Sequence, residues 1–584
     1  MTPSADPVRT RWLPLAAFAL ALSAFAWWPM LAAYPATQTG DGPYFQKMVE
    51  AARVSVARYH ELPLWNPYEC GGVPLWDNPE SPVAAPLAWL ALVVGSTRAI
   101  ELWYLLHALV GFLGMWALTR HELRLSRAAA FVGAASWAFA GVHSQHLVGG
   151  HLVFVPFFYF PLAIFFWRRA ERDPRHAVGL GAVVAMTMLE GGTYPLPHLI
   201  LLLFVETLTR LWPRGRWLPI ARAGAIAVAV AFVLSAARTL PVLDQLTHHT
   251  RPIVGHDNDA MQWSTLKEVF LARAHDRVAV GQQYVWPEYA DYLGPILLSL
   301  ALAGVFVAGL SHAWLLVLLV LSLALMSGSF ADWAPWKLLN AHVYPFKEMR
   351  VPSRFVYSVS LVLSAYAAVA IDRVPRLLGR LGLARTPLLR SAIVALAMVG
   401  VGDVVGLGIS WCASGFNGPP LAQLAPSPRL YLGGAGLAGF LDQPEQNRGR
   451  LECWGEWGFE AGAPLWTGDV PQARAIDADA RVEALTRSQN TFSFDVDAAR
   501  PTRVLLNSTF DRGWRSDVGA AVREGKQLAI ELPPGHHHVR VEYWPHGLTV
   551  GLSLSVLGWA GVVAMWLRGG RRPRPAAPEG SPGA

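Results

Sequence analysis

About twelve apolar runs, most of them close to the roughly 20 residues a helix needs to cross a bilayer, partition this chain. They fall at 12–33, 99–119, 128–142, 148–167, 176–190, 194–212, 218–240, 292–310, 312–328, 355–371, 391–410 and 547–567. One aqueous core cannot take up so much apolar surface: 53% of the 584 residues are hydrophobic, only 15% are charged, and the mean hydropathy is +0.31. The pattern predicts a polytopic α-helical membrane protein.

A net charge of +7 would suit a nucleic-acid partner if it lay on one soluble face. Here the basic residues sit in short clusters between apolar runs, the signature of membrane topology, and no nucleic acid is expected. With the N-terminus (Arg9, Arg11) inside, alternate loops hold Arg120, Arg124 and Arg127; Arg168, Arg169, Arg172 and Arg175; Arg210, Arg214, Arg216 and Arg222; and Arg373, Arg376, Arg380, Arg385 and Arg390, while Arg568, Arg571, Arg572 and Arg574 mark the tail. The loops between them, "GVHSQHLVGGH" (141–151) and "EGGTYPLPH" (190–198), carry no Lys or Arg. Both termini are therefore expected to be cytoplasmic. This count requires "PVAAPLAWLALVVG" (82–95), only 14 residues with a second proline, to be a re-entrant or interfacial helix rather than a span. The first run is longer than the h-region of a signal peptide and is read as a retained anchor.

This topology gathers the polar, irregular sequence on the outer face: the loops 34–97, 242–291 and 329–354, and a domain over 411–546. In the first loop Phe45, Met48, Val49, Ala52, Val56 and Tyr59 recur at helical spacing, predicting a helix over 43–60 that lies along the bilayer surface. Further on, "NTFSFDVDA", "TRVLLNSTF", "KQLAIEL" and "HHVRVEYW" alternate between turn signals and predict an antiparallel β-sandwich over about 480–545. The expected order is a transmembrane region over 1–410, the β-rich domain over 411–546, a last span at 547–567 and a basic, disordered cytoplasmic tail at 568–584.

The ordered set "TGDGPYFQ", "LPLWNPYECGGVPLWDNPES", "VWPEYADYLG", "FKEMRVPSRF" and "FDRGWRSDV…LPPGHHHVRVEYWP" resembles the bacterial YfhO family over nearly the whole chain. Where that family has a Gly-His-Pro-Gln-like element, this chain has "GGTYPLPH". The resemblance implies a GT-C-like fold in the bacterial cytoplasmic membrane. It also implies a glycosyltransferase that takes sugar from a polyprenyl-phosphate donor on the outer face and passes it to a glycan or lipid acceptor. In that class an acidic residue of the first outer loop is the usual catalytic position, which here is Asp41.

The chemistry of the residues agrees. Displacing a lipid phosphate from an anomeric carbon needs a base for the incoming hydroxyl, or a carboxylate holding a divalent metal ion against the leaving phosphate. Asp41 lies between Gly40 and Gly42, which would let substrate approach the backbone, although Asp before Pro43 also suits a helix N-cap. Lys347, Arg350 and Arg354 stand on the side of the membrane that topology leaves poor in cations, and are candidates for the phosphate or for lipid headgroups. Glu190 is the second candidate for the catalytic carboxylate, and Glu288, Tyr289 and His198 are candidate substrate contacts. His143, His146 and His151 cluster near them without metal-ligand spacing. Glu101 and His107 are expected to find partners within the helix bundle. Cys70, Cys412 and Cys453 allow at most one bridge, and the sequence leaves the pair open. Two other classes also fit the composition: a transporter or flippase of lipid-linked glycans, whose inverted repeat is not visible, and a non-catalytic envelope-assembly protein.

Overall fold

A computed structural model describes residues 12–33, 40–214, 217–249, 260–275, 282–382, 386–417, 424–433, 443–454 and 464–569. Arg9, Arg11 and the basic tail beyond 569 lie outside them. Among the described residues six helices are long and apolar enough to cross a membrane: Ser96–Glu122, Leu152–Ala170, Trp217–His248, Pro352–Arg380, Pro387–Gly415 and Leu548–Met565. Trp12–Ala26, Gly294–Ala308 and Ala313–Met326 are shorter apolar helices. Pro352–Arg380 is buried along its whole apolar window.

Several apolar runs fold differently from uninterrupted spans. The run 128–142 breaks into helices Arg127–Ala138 and Gly141–Val148. At the break, Gly141 N–H donates to the Tyr292 carbonyl (3.1 Å) and Val142 N–H to Asp291 Oδ1 (3.1 Å). The loop around 291 thus satisfies backbone donors that the helix leaves open, and a Cβ on Gly141 would stand 2.2 Å from Tyr292 N. The run 148–167 starts as a 3-10 segment, Leu152–Tyr159 with Pro156 inside it, before the α-helix Phe160–Ala170. The run at 218–240 continues to His248. In the stretch 82–95, Pro86–Leu90 and Ala91–Val94 are short helical turns that leave Leu92, Val93 and Val94 exposed.

The expected helix at 43–60 forms as Gly42–Tyr59. Its apolar face, including Phe45, Met48, Val49 and Ala52, and even Lys47 are buried by protein, so the helix does not offer that face to a bilayer. A two-stranded turn (Trp65–Asn66 with Val73–Pro74) follows. Buried Arg238 then fastens the loop to helix Trp217–His248 by donating to the carbonyls of Trp76, Asn78 and Pro79 at 2.8–3.0 Å.

The C-terminal region holds two antiparallel four-stranded sheets. One runs Ala520–Glu524, Gln527–Leu532, Thr502–Thr509, Ala473–Ala475; the other runs Arg481–Arg487, Thr491–Ala498, Gly535–Tyr543, Trp514–Ser516. Alternate residues of both sheets (Phe492, Phe494 and Val496; Val504 and Leu506; Leu528 and Ile530; Val539 and Val541) are buried in the apolar core. Among the links that hold these sheets against the first loop are Asn490 with Trp65 N–H and the Leu62 carbonyl, Gln489 with the Ala51 carbonyl, Ser488 with Glu61, and Tyr543 OH with Asp77 Oδ2.

Candidate active site

Asp41 precedes helix Gly42–Tyr59 in the N-cap position, but its side chain makes no capping hydrogen bond. What fixes it is a crossing of two glycine turns. Gly40 has φ +67° and a Cβ there would meet the Gly149 carbonyl at 2.4 Å; Gly150 has φ +76° and a Cβ there would meet Gly42 N at 1.9 Å. Only glycines let the two backbones meet, and Asp41 N–H then donates to the Gly149 carbonyl at 2.9 Å. The glycines around Asp41 therefore admit another turn of this chain, where the sequence suggested room for substrate.

The crossing brings His151 beside Asp41, with Nε2 3.6 Å from Asp41 Oδ2. His151 Nδ1 in turn lies 2.6 Å from His146 Nδ1. Burial pushes both imidazoles down, well below the ordinary value for His146 and less far for His151, where the nearby Glu288 and Asp41 carboxylates oppose it. Both rings are therefore neutral, and one Nδ1 donates while the other accepts. An acceptor at His151 Nδ1 puts its proton on Nε2, the nitrogen that faces the Asp41 carboxylate. The other oxygen, Asp41 Oδ1, accepts from Trp454 Nε1–H at 3.1 Å.

Trp454 reaches this point through a staple. Cys70 and Cys453 form a disulfide across a sequence separation of 383, and the Arg450 and Glu452 carbonyls accept from Gly71 and Cys70 N–H. Cys412 is a buried free thiol.

Asp41, Glu80, His151, Glu288, Arg350, Arg354 and Trp454, with Tyr44, Phe45, Val153, Phe154 and Tyr194, line one cavity of about 300 Å³. Glu288 and Arg354 form a buried bidentate pair (2.6 and 2.7 Å), with the guanidinium over the rings of Tyr194 and Phe154. Burial alone would push Glu288 up, yet the Arg354 guanidinium holds its carboxyl well below the usual carboxylate range. Arg354 therefore presents little net charge to the cavity, and the wall adds Arg350 as a second cation.

Other candidates stand elsewhere. Glu190 is buried between His107 Nε2 (2.8 Å) and Tyr159 OH (2.7 Å) and is not among the residues lining this cavity. Glu101 pairs with Arg98 at 2.6 Å. Tyr289 is buried, its hydroxyl accepting from Gln283 and Tyr284 N–H. His198 is buried and stacks on Phe355, and Lys347 is exposed. Glu80, Trp454, Tyr44, Val153, Phe154 and Tyr194 are the lining residues that the sequence did not single out; Cys453 was the signal beside Trp454, unreadable without its partner. Among the described residues no group of three or more His, Cys, Asp or Glu side chains is gathered as a metal site.

No family model matches the chain, and no curated protein matches it. Among solved structures, the chain is similar to a cryo-EM structure of arabinofuranosyltransferase AftD from mycobacteria. The identity is 15%, the TM-score 0.44, and the match covers 69% of this chain and 27% of that one. A structure of the AftD R1389S mutant gives 16%, 0.46, 75% and 32%. The chain thus spans about a third or less of the AftD length.

Proposed function

We propose that this chain is a membrane glycosyltransferase that uses a polyprenyl-phosphate sugar, with Asp41 as its catalytic base. The observation that carries this reading is the Asp41 carboxylate: it lies in a lined cavity, uninvolved in capping its own helix, beside a neutral histidine and an indole N–H. The motif resemblance to the YfhO family points the same way. The acceptor hydroxyl attacks the anomeric carbon and gives its proton to Asp41, while the bond from that carbon to the phosphate oxygen breaks and the phosphate leaves with the electron pair. A single displacement inverts the anomeric centre. Trp454 and His151 hold the carboxylate in place, and because His151 is neutral it does not sap the basicity a base needs. Arg350 is the residue assigned to the leaving phosphate. The site, the β-rich domain and the loop 34–97 face the outside of the cytoplasmic membrane, with about twelve spans and both termini inside.

The test is transfer or release of labelled sugar from a panel of polyprenyl-phosphate sugars in proteoliposomes holding equal amounts of wild type or Asp41→Asn. The expected result is one donor consumed by the wild type and a loss of about 10²–10⁴-fold in the variant, the usual range for a general base. Equal turnover by the variant would remove Asp41 from the chemistry. A wild type that moves intact lipid-linked sugar across the bilayer without consuming it would replace the transferase reading with a flippase.

A further inference from the structure

A second cavity, of about 330 Å³, lies at the far end of helix Gly42–Tyr59 from Asp41. At 1.5 Å per residue the 18-residue helix places its two ends about 27 Å apart. Tyr59, the last residue of the helix, lines it together with Arg429, Asn447, Gln472, Arg487 and Ser488, and among the described residues no Asp or Glu lines it.

Arg487 is the unusual group. Its Nη1 donates to Gln472 Oε1 (2.6 Å) and to the Asn507 carbonyl (3.2 Å), and its guanidinium lies 4.5 Å from the Phe492 ring. Its Nη2 is buried with no hydrogen-bond partner among the described residues. No carboxylate among those residues pairs with it. Glu61, adjacent through Ser488, is taken up by the Ser488 hydroxyl and Asn490 N–H. Burial without a counter-charge pushes the Arg487 guanidinium down to about 10. A guanidinium held this way costs stability unless an anion completes it, and its planar fork matches a carboxylate or phosphate. Around it stand the Asn447 amide, Tyr59 and Tyr68, and exposed Arg429 at the edge. The volume falls at the lower end of the small-ligand range.

We propose that this cavity is a binding site for an anionic saccharide, a sugar bearing a carboxylate or phosphate that completes Arg487. The site is separate from the Asp41 cavity and stands whether or not the chain transfers sugar. The test is calorimetric titration of the full chain in nanodiscs with methyl glucuronide, glucose 1-phosphate and neutral methyl glucoside. At least one anionic sugar is expected to bind tenfold or more tightly than the glucoside, and more weakly as salt rises; the two anionic arms identify the oxyanion. Asp41→Asn is expected to bind as the wild type does, and Arg487→Gln to lose the preference. If Arg487→Gln fails to fold, Arg429→Gln and Tyr59→Ala at the edge are each expected to weaken the anion several-fold. Equal affinity for anionic and neutral sugars, no saturable binding, or a preference that survives Arg487→Gln, or survives both edge variants, overturns the proposal.

Discussion

Replacing Glu288 by glutamine tests whether the cavity wall is built on a buried ion pair. Both side chains of the pair are less than a tenth exposed, at 6% and 9%. Removing one partner of such a pair leaves an uncompensated charge and costs about 3–5 kcal/mol. The substituted amide could still accept one hydrogen bond, and the rings of Tyr194 and Phe154 would still face the guanidinium, which places the expected loss near about 3 kcal/mol. Denaturant titration of the full chain in mixed micelles would measure it, in a double-mutant cycle with Arg354→Met. Either single change strands the other group in the interior, so the double variant should recover part of the loss and show a coupling of about 2 kcal/mol or more. The pH dependence has a definite sign. The folded-state Glu288 carboxyl lies below its unfolded value, so its contribution is complete above the ordinary Glu value of about 4.3 and is lost progressively as pH falls from there through the lower folded-state value. A Glu288→Gln loss under about 0.5 kcal/mol, or simple additivity in the cycle, would refute the claim that this pair shapes the wall.

Asp77 gives the opposite pH response. Burial first, and then the Asp511 charge, pushes it up to about 7, while Gln245 and Tyr543 donate to its Oδ2. The folded state then binds the extra proton, so Asp77 should cost roughly 2 kcal/mol of stability between pH 5 and pH 8. Asp77→Asn should flatten that slope in melting curves, and an unchanged slope would count against it. Cys70→Ser or Cys453→Ser should lower stability by about 2–4 kcal/mol and, by freeing Trp454 from Asp41, reduce transfer in the same assay that tests Asp41. Trp454→Phe keeps the ring but loses the N–H, so it should reduce transfer about tenfold, in line with the loss of one hydrogen bond to a charged group, without changing the melting temperature. Equal rates would make the indole N–H irrelevant to Asp41.

What the residues determined by themselves was local. Apolar runs of bilayer length, the 3.6-residue period before Tyr59 and the alternation from Thr491 to Tyr543 each follow from nearest neighbours along the chain, and most of them appear as helices and strands near the expected bounds, while the runs at 128–142 and 148–167 break into shorter segments. Asp41 was legible because a carboxylate between glycines, just past an apolar run, is conspicuous in one dimension. The tertiary structure decided what depends on distant partners. The turn at Gly149 and Gly150, more than a hundred residues away, puts His151 against Asp41, and the Cys70–Cys453 bridge carries Trp454 to the other carboxylate oxygen. Glu190 and Arg354 read alike as polar residues beside apolar runs, yet burial with His107 and Tyr159 sets one aside while Glu288 pins the other into the cavity wall. Spacing along a chain does not encode such pairings, because a buried charge finds its partner wherever the fold brings one.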